Sequence, residues 1–329
     1  FTDNGALWNV FSRTMNKAAD TEASLREGAT KRLAVIFKGL KGSMGELAQI
    51  PGIRNSLSLE TRLAVALNWG NETNQQRVMA GDNWSQAQVD GILQSLTANQ
   101  LHFVQNVWDF IDSYWPDIKA KEERVSGVAP EKVAAVPFVV KAADGSTVDM
   151  KGGYYPIKYD TDRSSKAEAD DAAEITKQMM VGHYARATTR RGHTQARVDT
   201  VNRAVRKDIN VIFQHVEQVA HDLAWHEWLI DATRLLRAKP IEQAIRNTVG
   251  PQVLREFTKA VTDIAAGDVP AQSSFERMIN HIRQGATITG LGWNVMTSLL
   301  QPFGLSQSMV RIGPKWVGKG LARWIGGAA

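Results

Sequence analysis

Apolar positions recur at spacings of three, four and seven along most of the chain, the period of a helix with one covered face. Leu7, Val10, Phe11 and Met15 open the pattern, and Leu25, Leu33, Ile36, Phe37 and Leu40 carry it through residues 4 to 48. Pro51-Gly52 stops it. Ser58 then stands where it can cap a helix over "LETRLAVALNW" that closes at Gly70, and residues 70 to 84 read as a polar loop or a broken helical turn. Ser85 is a second cap, ahead of one continuous stripe through Val89, Ile92, Leu93, Leu96, Leu101, Val104, Val107, Trp108 and Ile111. Trp115-Pro116 and the run to Gly127 weaken that helix, and "SGVAPEKVAAVPF" reads as an extended connector.

The period then changes. Residues 137 to 159 place β-branched and aromatic runs on either side of Asp144-Gly145, which predicts a hairpin, with a third short strand at Tyr154 to Tyr159. Gly152-Gly153 allows the chain to change direction, and Pro156 suits an edge strand or a bulge. Residues 169 to 182 return to a helical pattern, and a long helix is expected from about Thr194 to Ala238. Its apolar positions Val198, Val205, Ile209, Ile212, Val216, Val219, Leu223 and Ile230 share one heptad seam, with Asn202 and His226 as polar members. Pro240 breaks it, "IEQAIRNTVG" forms a short helix, Pro251 starts another that ends near Gly267, and a further helix begins at Ser274.

The expectation is a mainly α protein: an extended multi-helix bundle with a small β-meander inserted around residues 137–159. Its regions are an N-terminal helical part (1–135), the meander (136–160) and a C-terminal helical part (161–329) that holds the long helix 194–238.

Composition adds limits. The 329 residues are 43% hydrophobic and 22% charged, enough apolar content for a sizeable core, and ten of them are tryptophan. The absence of cysteine excludes disulfides, thiolate nucleophiles and cysteine-held metals. The chain begins at Phe1 without a basic-then-apolar leader and reads as a piece of something longer. Net charge is only +5, but it is unevenly spread: residues 160 to 174 are acidic, whereas Arg186, Arg190, Arg191, Arg197, Arg203, Arg206 and Lys207 form a basic stretch. Guanidinium groups so spaced can track phosphates, and DNA is the partner they suggest; the alternative is a solvated face paired with the acidic segment upstream.

Candidate chemistry is sparse. His215, His221 and His226 lie six and five apart, so adjacent imidazoles point in different directions, and His215 and His226 stand about 16 Å apart on a helix. "HEWLI" lacks the second histidine of a zinc-protease helix, so His226 is read as a buried residue bonded to a neighbouring helix. No G-x-S-x-G occurs, and "GLGWNV" follows no strand and completes no G-x-G-x-x-G. The sequence therefore singles out no catalytic, cofactor-binding or metal-ligating residue, and no small-molecule substrate. No charge occurs between Arg283 and Arg311, and the tail that follows alternates Lys315, Lys319 and Arg323 with Trp316 and Trp324. With Trp293, these suit a membrane surface or a partner helix.

Taken in order, "LSLETRLAVALNWGNETNQQRVMAGDNWSQAQVDGILQSL", "FVQNVWDFIDSYWPDI", "GGYYPIKYD", "HVEQVAHDLAWHEWLIDATRLL" and "GLGWNVMTSLLQPFGLSQSMVRIG" resemble the large polyvalent protein-associated domains of bacteriophage and prophage proteins. In role these are similar to the internal virion or ejection proteins of short-tailed phages. The resemblance spans roughly Leu57 to Gly313. It implies a structural part in genome delivery: residence inside the capsid, release into the host envelope or cytoplasm on infection, self-association, and contact with other virion proteins, DNA or membrane. Enzymatic domains of such proteins lie elsewhere on the polypeptide. A nucleic-acid-binding module is the alternative, and a cell-wall hydrolase with dispersed residues a third.

Overall fold

The structure, a computed structural model, describes residue 9, residues 13–160 and 203–248, and positions 251, 254, 255, 258, 261, 264 and 265. All belong to the first of two compact units, Phe1–Thr287; the second, Ile288–Ala329, lies outside the described residues.

Among the described residues the chain is mainly helical, as the periodicity predicts. The first helix, α1 (Arg13–Lys38), is shorter than the apolar period of residues 4 to 48 suggests. Gly39 ends it, Gly42 turns the chain at φ +112°, and the apolar Leu47 belongs instead to a two-residue strand, β1 (Leu47–Ala48), paired antiparallel with β2 (Leu57–Ser58). Ser58 caps α2 (Leu59–Leu67) as expected, accepting the Thr61 N–H.

A short 3₁₀ turn, Asn68–Gly70, leads into α3 (Glu72–Asp82), where the sequence suggests a loop. The reason is that this helix buries amides and a guanidinium along with Val78. Asn71 caps it by accepting the Asn74 N–H, and the Asn74 amide donates to Asn68 Oδ1 at 3.2 Å and to the Tyr155 carbonyl at 2.9 Å. The stripe from Val89 to Ile111 is two helices, α4 (Gln86–Gln94) and α5 (Ala98–Asp112), because Ser85 and Thr97 each begin a helix through a reciprocal bond with the glutamine three residues on. Pro116 does not end a helix; it sits in the first turn of α6 (Trp115–Ser126), where its missing N–H costs nothing. Gly127, at φ +74°, closes α6, and residues 128–137 belong to neither helix nor strand.

The hairpin forms where Asp144-Gly145 predicts it, pairing β3 (Phe138–Lys141) with β4 (Thr147–Met150). Its turn is also a cap: Asp144 accepts the N–H of Ala98, the first residue of α5. The third strand of the expected meander is absent. Residues 151–158 form no strand, because Gly152-Gly153 is drawn instead against Gly70. The Gly153 N–H donates to the Gly70 carbonyl at 2.9 Å, and a Cβ placed on Gly153 would lie 2.5 Å from Trp108 Cβ. Trp108 in turn donates its indole N–H to the Leu67 carbonyl.

The long helix is also corrected. It begins at Asn210, not Thr194: α7 spans Asn210–Arg237. The residues before it form a clasp. Tyr159 pairs antiparallel with Val205, the Asp160 N–H donates to the Ala204 carbonyl at 2.9 Å, and the Arg206 N–H donates to the Lys158 carbonyl at 2.8 Å. The clasp rests on α3 so closely that a Cβ on Gly81 would lie 2.3 Å from the Arg203 carbonyl oxygen. Pro240 falls in the first turn of α8 (Lys239–Thr248). The segment expected to be helical over 169–182, the first part of the long helix, and the helix from Ser274 lie outside the described residues.

The core lies where α1 runs along α7 and also meets α5, with α2 packed on α5. Phe37 marks the junction, its ring 5.1 Å edge-on from Phe103 of α5 and 5.4 Å stacked on Phe213 of α7. Helices from either end of the described chain thus share one core.

The clasp carries a prediction. Asp160 and Arg203 stand at neighbouring positions of the clasp, so replacing residues 161–202 by a short Gly/Asn turn between them is expected to preserve the fold of the described residues. A shorter connection between the two positions lowers the entropic cost of bringing them together by up to about 2 kcal/mol. Circular dichroism and thermal unfolding of the shortened chain check this; collapse of the helical signal would refute it.

Candidate functional site

α7 is buried on nearly every side, and its buried face includes three polar side chains, His215, Asp222 and His226. A helix so enclosed must satisfy its polar groups internally, since an unpaired buried charge costs several kcal/mol. The partners come from two helices far away in sequence.

On the α6 side, Lys121 is 1% exposed, Glu122 2%, Asp222 6% and His226 2%. The Lys121 ammonium donates to Glu122 Oε1 at 2.8 Å and to Asp222 Oδ2 at 2.5 Å, and lies 3.2 Å from His226 Nδ1. An ammonium has only protons to offer, so Nδ1 accepts and the imidazole carries its single proton on Nε2. Burial, reinforced by the Lys121 charge, holds His226 below the ordinary histidine range, although Asp222, Glu122 and Glu227 pull the other way. One ligand-type atom from each of Glu122, Asp222 and His226 falls within 4.8 Å of the others. The cation that this arrangement surrounds is the lysine's own, and the group is an ion-pair cluster. At the rim, Arg124 grips Glu227 through two bonds of 2.9 and 2.8 Å, which keeps Glu227 below its usual range and raises Arg124.

On the α1 side the centre is Glu22. It accepts from Trp225 Nε1 at 2.5 Å and pairs with Arg26 at 2.6 Å, and His221 Nδ1 lies 3.1 Å away. Burial pushes the Glu22 carboxyl up, but His221, Arg26 and Trp225 together bring it below the usual carboxylate range. His221 Nε2 faces the Ile264 carbonyl at 2.8 Å, so this cluster also ties in the chain beyond α8.

The basic stretch looks different in three dimensions. Arg203 sits over the Tyr159 ring, Arg206 pairs with Asp208, and Lys207 pairs with Asp82 and lies 4.9 Å over Trp84; all three are half-buried. Arg186, Arg190, Arg191 and Arg197 lie outside the described residues, as do Val198, Trp293, Trp316, Trp324, Lys315, Lys319 and Arg323. Of the seam, Val205 is buried in the clasp, Ile209 at the start of α7, and Ile212, Val216 and Val219 within the helix; Leu223 and Ile230 are half-buried. Among the described residues, no helix is long and apolar enough to cross a membrane.

Sequence reading places His226 in a bond to a neighbouring helix, and the structure supplies that helix. It misses Lys121, Glu122 and Glu22, which sit in charge-rich runs typical of solvated faces. The usable signal is Asp222 and His226, one turn apart on a helix otherwise apolar there, which together demand a buried cationic partner. No family model, no curated protein and no solved structure matches this chain.

Proposed function

We propose that the chain is a folded helical module of a large bacteriophage virion protein, which serves genome delivery by association rather than by turnover. The ordered segments quoted above, from Leu57 to Gly313, support the phage assignment by resemblance. One structural observation carries the non-catalytic part: the titratable groups that converge on α7 are spent on one another. Lys121 is held by Glu122 and Asp222, and Glu22 by Arg26 and Trp225. Among the described residues, groups locked in this way hold helices together and face one another, not an open site.

Among the described seam residues, association falls to Leu223 and Ile230, since Val205, Ile209, Ile212, Val216 and Val219 are already covered by the chain itself. DNA contact through the described end of the basic stretch is less favoured than its spacing suggests, because Arg203, Arg206 and Lys207 are each engaged by an aromatic ring or a carboxylate. The expected result is a defined oligomer in analytical ultracentrifugation, or flotation with anionic liposomes, with no clearing on a peptidoglycan zymogram. A strictly monomeric, lipid-indifferent protein would overturn the association reading, and zymogram clearing would replace it with a hydrolase. A mobility shift on DNA that fades steeply with salt would move the assignment to the nucleic-acid alternative.

A further inference from the structure

We propose that the contact between α6 and α7 is a proton-sensitive latch, in which uptake of a proton by His226 releases α6 and the connector behind it. This stands apart from the delivery role, and either can fail alone.

The geometry dictates the effect. His226 Nδ1 accepts from the Lys121 ammonium at 3.2 Å, and both side chains are almost fully enclosed. A proton added at Nδ1 abolishes that bond and sets an imidazolium against an ammonium at contact distance, away from water. The groups facing the ring are Lys121 and Glu122 from α6 and Asp222 and Glu227 from α7. The nearest carboxylate oxygen, Asp222 Oδ1, is 3.7 Å from Nδ1, while Asp222 Oδ2 and Glu122 Oε1 are already committed to Lys121. Glu227 is engaged by Arg124. Nε2, which carries the resident proton, has no hydrogen-bond partner among the described residues, so the ring cannot trade one bond for another without leaving its place.

The sign follows. His226 is held below the ordinary histidine range when α6 is docked, and an exposed imidazole titrates near pH 6.5. The released state therefore binds more protons than the docked state over the window from about pH 6.5 down to the lower pH at which the docked imidazole itself protonates, and the docked form is fully favoured above that window. Acid then shifts the opening equilibrium by up to about tenfold per pH unit. α6 is the element that yields because its hold on α7 runs through this cluster and the Arg124–Glu227 pair, half of which is exposed to solvent. The adjacent face of α7, which carries His221 and Trp225, is held by Glu22 and Arg26, and among the described residues it contains no lysine–histidine contact.

Hydrogen exchange read by mass spectrometry on the full chain at pH 7.5 and 5.5, corrected for intrinsic exchange chemistry, tests this. Peptides covering residues 115–137 should lose protection at the lower pH while α2 and α5 keep theirs. His226→Gln and His226→Phe should abolish the difference. Should either variant fail to fold, ring ¹⁵N signals of the wild-type histidines decide, since Nδ1 of His226 must be unprotonated at pH 7.5. A wild-type chain with unchanged protection, variants that open equally, or a protonated Nδ1 at pH 7.5 would each overturn the latch.

Discussion

Replacing Lys121 with methionine is expected to destabilise the fold by about 3–5 kcal/mol, the usual cost of leaving buried charges without their counterion. Methionine keeps the length and apolar stem of lysine, so the loss isolates the ammonium. Glu122 and Asp222 remain, 2% and 6% exposed, as two carboxylates with their shared cation removed. Urea unfolding followed by circular dichroism reads the effect. A matching control is Arg124→Ala, which breaks the neighbouring but solvent-exposed pair with Glu227 and should cost no more than about 1 kcal/mol. Adding Glu122→Gln and Asp222→Asn to Lys121→Met should recover much of the loss, because neutral amides are cheaper to bury than unpaired carboxylates. If Lys121→Met and Arg124→Ala cost the same, the cluster is not the buried ionic knot described above.

The second large effect is expected from a single methyl group. Gly153→Ala places a Cβ 2.5 Å from Trp108 Cβ, a distance real contacts do not reach. The obstacle is the root of a rigid side chain that is 1% exposed and tethered through its indole N–H to the Leu67 carbonyl. Neither side can yield cheaply, and the expected loss is about 3 kcal/mol, the upper end for overpacking. Gly45→Ala, with open space around its Cβ, is the control and should be close to neutral. Thermal unfolding of the two variants side by side settles it; equal midpoints would mean that the glycine pair does not set this crossing.

These two sites show where the sequence speaks and where it falls silent. Local chemistry is legible: Ser58 and Ser85 announce their helices, and Asp144-Gly145 announces the hairpin, because each signal is read within a few residues of its effect. What fails is anything decided across the fold. α3 is hidden because Asn74 and Arg77 look like surface residues until Tyr155 and Asn68 arrive to satisfy the amide. The heptad seam runs past its true start because Val205 obeys the helical spacing while its backbone is paired with Tyr159. Lys121 and Glu122 sit in "KAKEER", indistinguishable by composition from a wetted helix end, and only α7 makes them interior. Glu22 is equally opaque from sequence, since its partner lies 203 residues downstream.

That separation also governs how the chain comes off the ribosome. The α1 face that Trp225 and His221 will cover is translated roughly two hundred residues before its cover exists. At ordinary elongation rates of about 5–20 residues per second, it waits on the order of 10–40 s before α7 emerges. During that interval the α1 face that α7 will cover is open to whatever binds nascent helices, so yield in a heterologous host should track chaperone supply more closely than the finished protein's melting temperature.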